Sequence, residues 1–242
     1  MKAMILAAGL GTRLRPLTDE SPKALVEVAG RPLFEITLAR LRAFGVREVI
    51  VNVHHFADKM LEYLEAHRNF GMRIEVSRED ILLDTGGGLK NAAWFFLESS
   101  ADREQPFLLH NVDVLSTIDF ARMVQLHTAQ NVLATLAVQN RRTSRPLLFD
   151  EQGLFRGRAT ESALPAGCEA LAFSGVHVLS PRIFAMMNED GVFSIVDAYA
   201  RLAAEGEKIV AFHADDAYWR DLGRPENILQ AAQDVQAGMY PI

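Results

Sequence analysis

Along this chain, compact apolar runs alternate with stretches whose apolar residues recur every three or four positions. Lys2–Ala8, Glu48–Val53 (EVIVNV), Met72–Ser77 and Pro106–Asn111 (PFLLHN) are runs of the first kind. Their length and β-branched content predict strands covered on both faces. Between them the period changes to that of a helix. Pro32 sits where a first turn would be, Leu33, Ile36, Leu38, Leu41 and Phe44 follow, and Gly45 supplies the stop. Ala57–His67 predicts a second helix, the triplet Gly86–Gly88 opens a third reaching about Leu97, and Ile118–Ala129 predicts a fourth. Strand and helix in steady succession argue for parallel βαβ units in a doubly wound sheet. Sheets of this kind bind ligands beyond the carboxyl ends of their strands.

The second half is less regular. Leu147–Phe149 and Leu154–Arg156 flank Asp150–Gly153 as a hairpin, and Leu171–Leu179 is a further strand. Pro181–Met187 and Ile195–Glu205 have helical period, Lys208–Phe212 and Ala217–Trp219 are strand-like, and a helix from about Pro225 closes the chain. The pattern predicts an α/β protein with a single Rossmann-like domain over residues 1–242. Its sheet is doubly wound and mixed, mostly parallel, with helices on both faces and a small substrate-side β extension.

Composition narrows the class. With 49% hydrophobic and 23% charged residues the chain can bury a substantial core, and no apolar stretch is long enough to span a membrane. The opening MKAMILAAG is interrupted by arginines too soon for a secretory signal. A net charge of -6 disfavours nucleic acid as a partner, so a polyanionic ligand requires a local cationic site. The single Cys168 excludes an intrachain disulfide and a thiolate metal cluster. A cytoplasmic location fits this composition.

That cationic site is offered by Gly9-Leu10-Gly11-Thr12-Arg13-Leu14-Arg15-Pro16-Leu17-Thr18, followed by Ser21-Pro22-Lys23. Glycines let backbone approach a ligand, and successive N–H groups form a concavity for phosphate oxygens. Arg13, Arg15 and Lys23 add a planar fork or a mobile point charge. The loop lacks the Gly-Lys-Ser/Thr of a Walker motif, and Leu14 stands where a dinucleotide fingerprint needs a third glycine. His54 and His55 follow the second strand where that fingerprint wants an acid. A dinucleotide-dependent oxidoreductase is thereby disfavoured.

Ala7-Ala8-Gly9-x-Gly11-Thr12-Arg13-Leu14-x-Pro16-x-Thr18, then Pro22-Lys23, resembles the signature of the sugar-1-phosphate nucleotidyltransferases. The resemblance continues through Gly30-Arg31-Pro32, Gly86–Gly88, Asn111-Val112-Asp113, Phe173-Ser174-Gly175-Val176 and Trp219-Arg220-Asp221-Leu222-Gly223. It implies transfer of a nucleoside monophosphate from an NTP to a sugar 1-phosphate, with Mg²⁺ as cofactor. It also implies that residues 1–112 are mainly nucleotide-binding and 113–242 mainly sugar-phosphate-binding. Ala7, Ala8, Gly9, Gly11, Thr12, Arg13 and Lys23 then meet the triphosphate, Arg13 and Lys23 as the catalytic cations. Gly87 and Gly88 meet the base, and Asn111, Glu161 and Gly175 the sugar. Asp113 and Asp221 hold the metal, consistent with the need of Mg²⁺ for one or two carboxylates beside substrate phosphates.

Two positions depart from the resembling pattern. Val112 precedes Asp113 where glycine is usual, and Ser162-Ala163 follow Glu161 where Lys-Pro is usual. No left-handed β-helix domain is expected after Asp221, and the compact length resembles the short bacterial members. Uridylyl transfer to a hexose or N-acetylmuramic acid 1-phosphate is the first expectation. Guanylyl transfer to mannose or heptose 1-phosphate and cytidylyl transfer to phosphocholine stay open, as does a non-catalytic nucleotide-sensing subunit. His54, His55 and His110 are expected in structural or hydrogen-bonding roles. The assembly is expected to be a monomer or homodimer.

Overall fold

The computed structural model describes residues 1–159 and 164–241. From the N-terminus come β1 (Lys2–Leu6), a small hairpin of β2 (Glu27–Val28) and β3 (Arg31–Pro32), α1 (Leu33–Ala43), β4 (Glu48–Val53), α2 (Ala57–Ala66) and β5 (Arg73–Arg78). Then follow α3 (Asp84–Asn91), α4 (Ala93–Phe96), β6 (Phe107–Asn111), β7 (Val114–Ser116) and α5 (Phe120–Gln130). The second half holds β8 (Ala134–Gln139), β9 (Leu147–Asp150), β10 (Phe155–Arg158), β11 (Cys168–Leu179), α6 (Ile195–Ala204), β12 (Ile209–His213), β13 (Trp219–Asp221) and α7 (Pro225–Gln236).

Nine strands form one mixed sheet in the order β10-β9-β11-β6-β1-β4-β5, with β8 on β11 and β12 on β8. β6, β1, β4 and β5 run parallel, and β12 runs parallel to β8. β11 is antiparallel to β6, β8 and β9, so it joins the parallel half to the β9–β10 extension.

The continuous apolar runs follow from burial on both faces. In β1, Ala3 and Ile5 enter one core while Met4 enters the other; in β4, Val49 and Val51 divide from Ile50 in the same way. Leu38 and Leu41 of α1, Met60 of α2, Met123 of α5 and Ile228 of α7 cover the first face. Leu89 of α3, Phe95 and Phe96 of α4, and Tyr199 and Leu202 of α6 cover the second. The doubly wound arrangement is thus a consequence of strand period two against helices packed from both sides. Among the described residues no helix is long and apolar enough to cross a membrane.

Three details depart from the periodicity. β8 is fully buried but carries two alanines, and its pattern had not marked it as a strand. The strand near Trp219 runs forward to Asp221, because it pairs with β7. The glycine triplet lies within α3, whose first residue is Asp84, and does not open it.

Candidate active site

At the carboxyl ends of β1, β4, β5 and β6 two cavities adjoin. The smaller, about 340 Å³, has a largely apolar wall that includes Leu6, Ala8, Leu82, Val112 and Val192. The larger, about 1150 Å³, is rich in charge and takes in Arg13, Arg141, Arg145, Arg158, Asp197 and Asp221. Asp84, Thr85, Asn111 and Asp113 line both. This is the crevice that the sheet type leads one to look for.

The loop after β1 is folded on itself. Gly11 has φ +62°, and a Cβ there would lie 2.9 Å from Thr18 Cγ2 and 3.2 Å from Lys23 Cβ. Only glycine combines that dihedral with so close an approach. The Leu14 N–H and the Thr18 hydroxyl both donate to the Gly11 carbonyl, at 2.8 and 2.9 Å. Leu14, at the place of the missing third glycine, is fully buried and anchors the loop to the core. Ala7 donates its N–H to Asn52 Oδ1 at 2.8 Å, and Asn52 Nδ2 donates to Glu79 Oε1 at 2.7 Å. The end of β1 is therefore braced from β4 and β5.

Lys23 is buried, and its Nζ pairs with Asp113 Oδ2. Arg13 is exposed on the rim and forms no ion pair among the described residues. Its guanidinium lies against the backbone of Gly223: a Cβ there would be 2.9 Å from Arg13 Nη2 and 3.0 Å from Asp221 Oδ1. Arg15, by contrast, points away and pairs with Asp19 at 3.3 Å.

Asp113 and Asp221 come from neighbouring backbone. Asp221 is opposite Val114 in the β13–β7 pair, and the Leu222 N–H donates to the Asp113 carbonyl at 2.8 Å. Asp113 uses Oδ2 on Lys23, and Asp221 accepts the Gly223 N–H on Oδ1 at 3.0 Å. The second oxygen of each carboxylate has no hydrogen bond among the described residues. Two hard oxygen donors facing one cavity, with no third acidic or imidazole ligand grouped with them among the described residues, fit an ion that completes its shell with phosphate and water.

Gly175 sits at φ +74° in a bulge of β11, between Phe173 and His177. A Cβ would meet Val114 Cγ2 at 2.7 Å and Asn111 Nδ2 at 3.1 Å. The bulge re-aims the strand and seats Asn111 on the cavity floor. Ala8, Gly9, Lys23, Asn111 and Asp113 thus reach the smaller cavity, and Arg13, Asn111, Asp113, Gly175 and Asp221 the larger. Ala7, buried, and Gly11 and Thr12, further along the loop with Thr12 exposed, line neither cavity. Gly87 and Gly88 are buried behind the lining, where an added Cβ would strike the Gly191 carbonyl at 2.3 Å and Asn52 Nδ2 at 2.7 Å. Glu161 lies outside the described residues.

Asn52, a lone amide inside a β-branched strand, lines the smaller cavity, and Arg141, in the polar run Arg141–Arg145, lines the larger, and neither stands in a motif. His54 lies just past β4, its Nδ1 2.8 Å from the Glu79 carbonyl oxygen, while His55 is exposed. His110 is buried, with Nδ1 2.8 Å from the Asn111 carbonyl oxygen; burial, reinforced by Arg40, holds its pKa down to about 4.

A family model described as nucleotidyl transferase matches residues 2–149. The chain is 35% identical to the N-acetylmuramate alpha-1-phosphate uridylyltransferase of Caulobacter vibrioides, with 95% of this chain and 94% of that protein covered. It is 28% identical to the mannose-1-phosphate guanylyltransferase of Mycobacterium tuberculosis, over 99% of this chain but 66% of that longer protein. Among solved structures, the UDP-glucose pyrophosphorylase from Acinetobacter baumanii aligns with a TM-score of 0.80 at 19% identity, covering 97% of this chain and 92% of that one. At that identity the likeness speaks for the fold. Matched by the family model over more than half its length, and by a relative along almost all of it, the chain belongs to the nucleotidyl transferase family.

Proposed function

We propose that this protein transfers a uridylyl group from UTP to the 1-phosphate of N-acetylmuramic acid or a related hexose, releasing pyrophosphate. The observation that carries this reading is the shared wall: an apolar cavity and a charged one meet along Asp84, Thr85, Asn111 and Asp113. A nucleoside suits the first and a phosphorylated sugar the second, so their phosphates would face each other at Asp113. The relative from Caulobacter vibrioides, matched nearly end to end, favours uridine and an amino sugar over the alternatives.

An oxygen of the sugar phosphate attacks the α-phosphorus in line. A new P–O bond forms, the bond to the oxygen bridging to the β-phosphorus breaks, and pyrophosphate leaves with the electron pair. The nucleophile is already an anion at neutral pH, so no strong general base is needed. The barrier lies in bringing two polyanions together and in the charge growing on the leaving group, which positioning and fixed cations lower. Backbone from Ala7 to Thr12 and the Arg13 guanidinium receive the β- and γ-phosphates, and Lys23 the α-phosphate. Gly87 and Gly88 serve the base through the close packing they permit behind the apolar cavity. Asn111, Glu161 and Gly175 belong to the sugar side. Asp113 and Asp221 would hold Mg²⁺, which when bound supplies charge to both phosphates.

Pyrophosphate release measured over a matrix of the four nucleoside triphosphates and several sugar 1-phosphates tests the reading, with Mg²⁺ and then with chelator. UTP with N-acetylmuramic acid 1-phosphate is expected to be fastest, and chelator to abolish release. A faster pairing of GTP with mannose 1-phosphate would reassign the substrates. No release in any pairing would leave a nucleotide-sensing role.

A further inference from the structure

Three of the four buried side-chain polar atoms without a hydrogen-bond partner among the described residues belong to one place: Asn111 Oδ1, Arg141 Nε and Ser174 Oγ. All three residues line the larger cavity. Buried polar groups are ordinarily satisfied, and a cluster of exceptions marks a surface built to meet something else.

Arg141 is the charged member of that cluster. Its guanidinium carbon lies 3.5 Å from the centre of the Trp219 ring, and Nη2 donates to the Phe173 carbonyl at 2.8 Å. Trp219 is itself tied down, its Nε1 donating to the Ser174 carbonyl at 2.9 Å. The guanidinium is therefore fixed by its face and by one edge, a preorganised fork of the kind that reads phosphate.

Its charge is not locally neutralised. Arg158, on the same cavity, pairs with Asp197 at 3.0 Å, and Lys23 pairs with Asp113. Arg141 makes no ion pair among the described residues. Half-buried, it has its pKa lowered by desolvation, with Asp221 the carboxylate that opposes the shift. A cation in this position is short of one anion, and like Asp221 it lines the larger cavity and not the smaller one that Lys23 reaches.

We propose that Arg141 binds the phosphate of the incoming sugar 1-phosphate and holds it beside Asp221, while Asn111 and Ser174 offer hydrogen bonds to the sugar. This rests on the transferase reading above and assigns that reading's acceptor side. Trp219 acts as the platform that keeps the guanidinium planar to the cavity floor.

The test compares wild type with Arg141→Met and Arg141→Lys. Kinetics are run with each substrate varied in turn, UTP and N-acetylmuramic acid 1-phosphate are titrated separately by calorimetry, and the melting temperature is recorded. For Arg141→Met, kcat/KM for the acceptor is expected to fall about 10- to 150-fold, the range for losing a hydrogen bond to a charged group. The Kd for UTP and the melting temperature should stay at wild-type values, and Arg141→Lys should recover part of the loss. An unchanged acceptor kcat/KM overturns the proposal, as does a loss of UTP affinity and melting temperature in equal measure. If wild type binds the sugar phosphate and Arg141→Met does not, yet no pyrophosphate is released, the transferase reading fails and the Arg141 site stands. If wild type neither binds the sugar phosphate nor releases pyrophosphate, both fall.

Discussion

Lys23 is where the electrostatics of the cleft converge. Its Nζ is held by a carboxylate ninety positions along the chain, and its stem passes beneath Gly11, so the ammonium is aimed before any ligand arrives. Replacing it by alanine removes a preorganised cation and leaves Asp113 without its partner. Lys23→Ala is expected to lower turnover by about 10²- to 10³-fold, the size of losing one oxyanion-stabilising donor. Near-normal turnover in a variant whose circular dichroism matches wild type would refute the role. The cations of the first loop were legible from spacing alone, because glycines and arginines crowd a short acidic-poor segment. The partners were not legible: Lys23 with Asp113, Arg13 against Gly223 and Arg141 on Trp219 are contacts between segments far apart in the chain. Arg141 in particular sits in Arg141-Arg142-Thr143-Ser144-Arg145, which as sequence looks like any solvated turn.

At the level of elements, the glycines of α3 are required by packing. The triplet suggested backbone offered to a base, whereas all three glycines are buried and packed. An added Cβ at Gly86 would lie 2.3 Å from the Phe193 ring and 2.9 Å from the Phe193 carbonyl, and at Gly87 it would meet the Gly191 carbonyl at 2.3 Å, backbone that cannot turn aside. Gly87→Ala must therefore push α3 away from the segment holding Val192, a wall of the apolar cavity. Overpacking of this kind costs about 1–3 kcal/mol. The variant is expected to melt earlier and to raise the KM for nucleotide more than that for acceptor, read by thermal unfolding and by substrate titrations. Equal shifts in the two KM values would separate α3 from the nucleotide side. The parallel strands were legible because β-branched runs buried on both faces carry a strong signal. β8 was not, since alanines and threonine in Ala134–Gln139 satisfy burial without announcing a period. β7 and β13, three residues each, exist only through pairing with each other.

For the molecule as a whole, three buried histidines set the response to acid. His110 lies on β6, His177 on β11 and His127 on α5. Burial holds His110 and His127 at about 4, with Arg40 and Arg182 adding to the shifts, and His177 at about 3 with His110 adding. Each also has a polar neighbour suited to its neutral form: the His177 Nδ1 is 2.8 Å from Tyr199 Oη, and the His127 Nδ1 is 3.1 Å from Thr135 Oγ1. In the unfolded chain the same groups titrate near 6.5. Above that pH all three are neutral in both states and contribute no slope. Below it the unfolded chain takes up protons that the fold refuses, so stability present at neutral pH is lost as pH falls from 6.5 through 4. Carboxylates such as Glu98, held near 2 by Arg73 and Lys2, add to the loss only below their ordinary value of 4.5. The melting temperature is therefore expected to be level above pH 6.5 and to begin falling before any carboxylate titrates. His127→Gln keeps a side chain that can hydrogen-bond Thr135 and cannot take up a proton, and the position lines neither cavity. In that variant the decline between pH 6.5 and 4.5 should be shallower than in wild type. An identical profile would mean that His127 exchanges its proton equally in the folded and unfolded chain, and that acid sensitivity begins with the carboxylates.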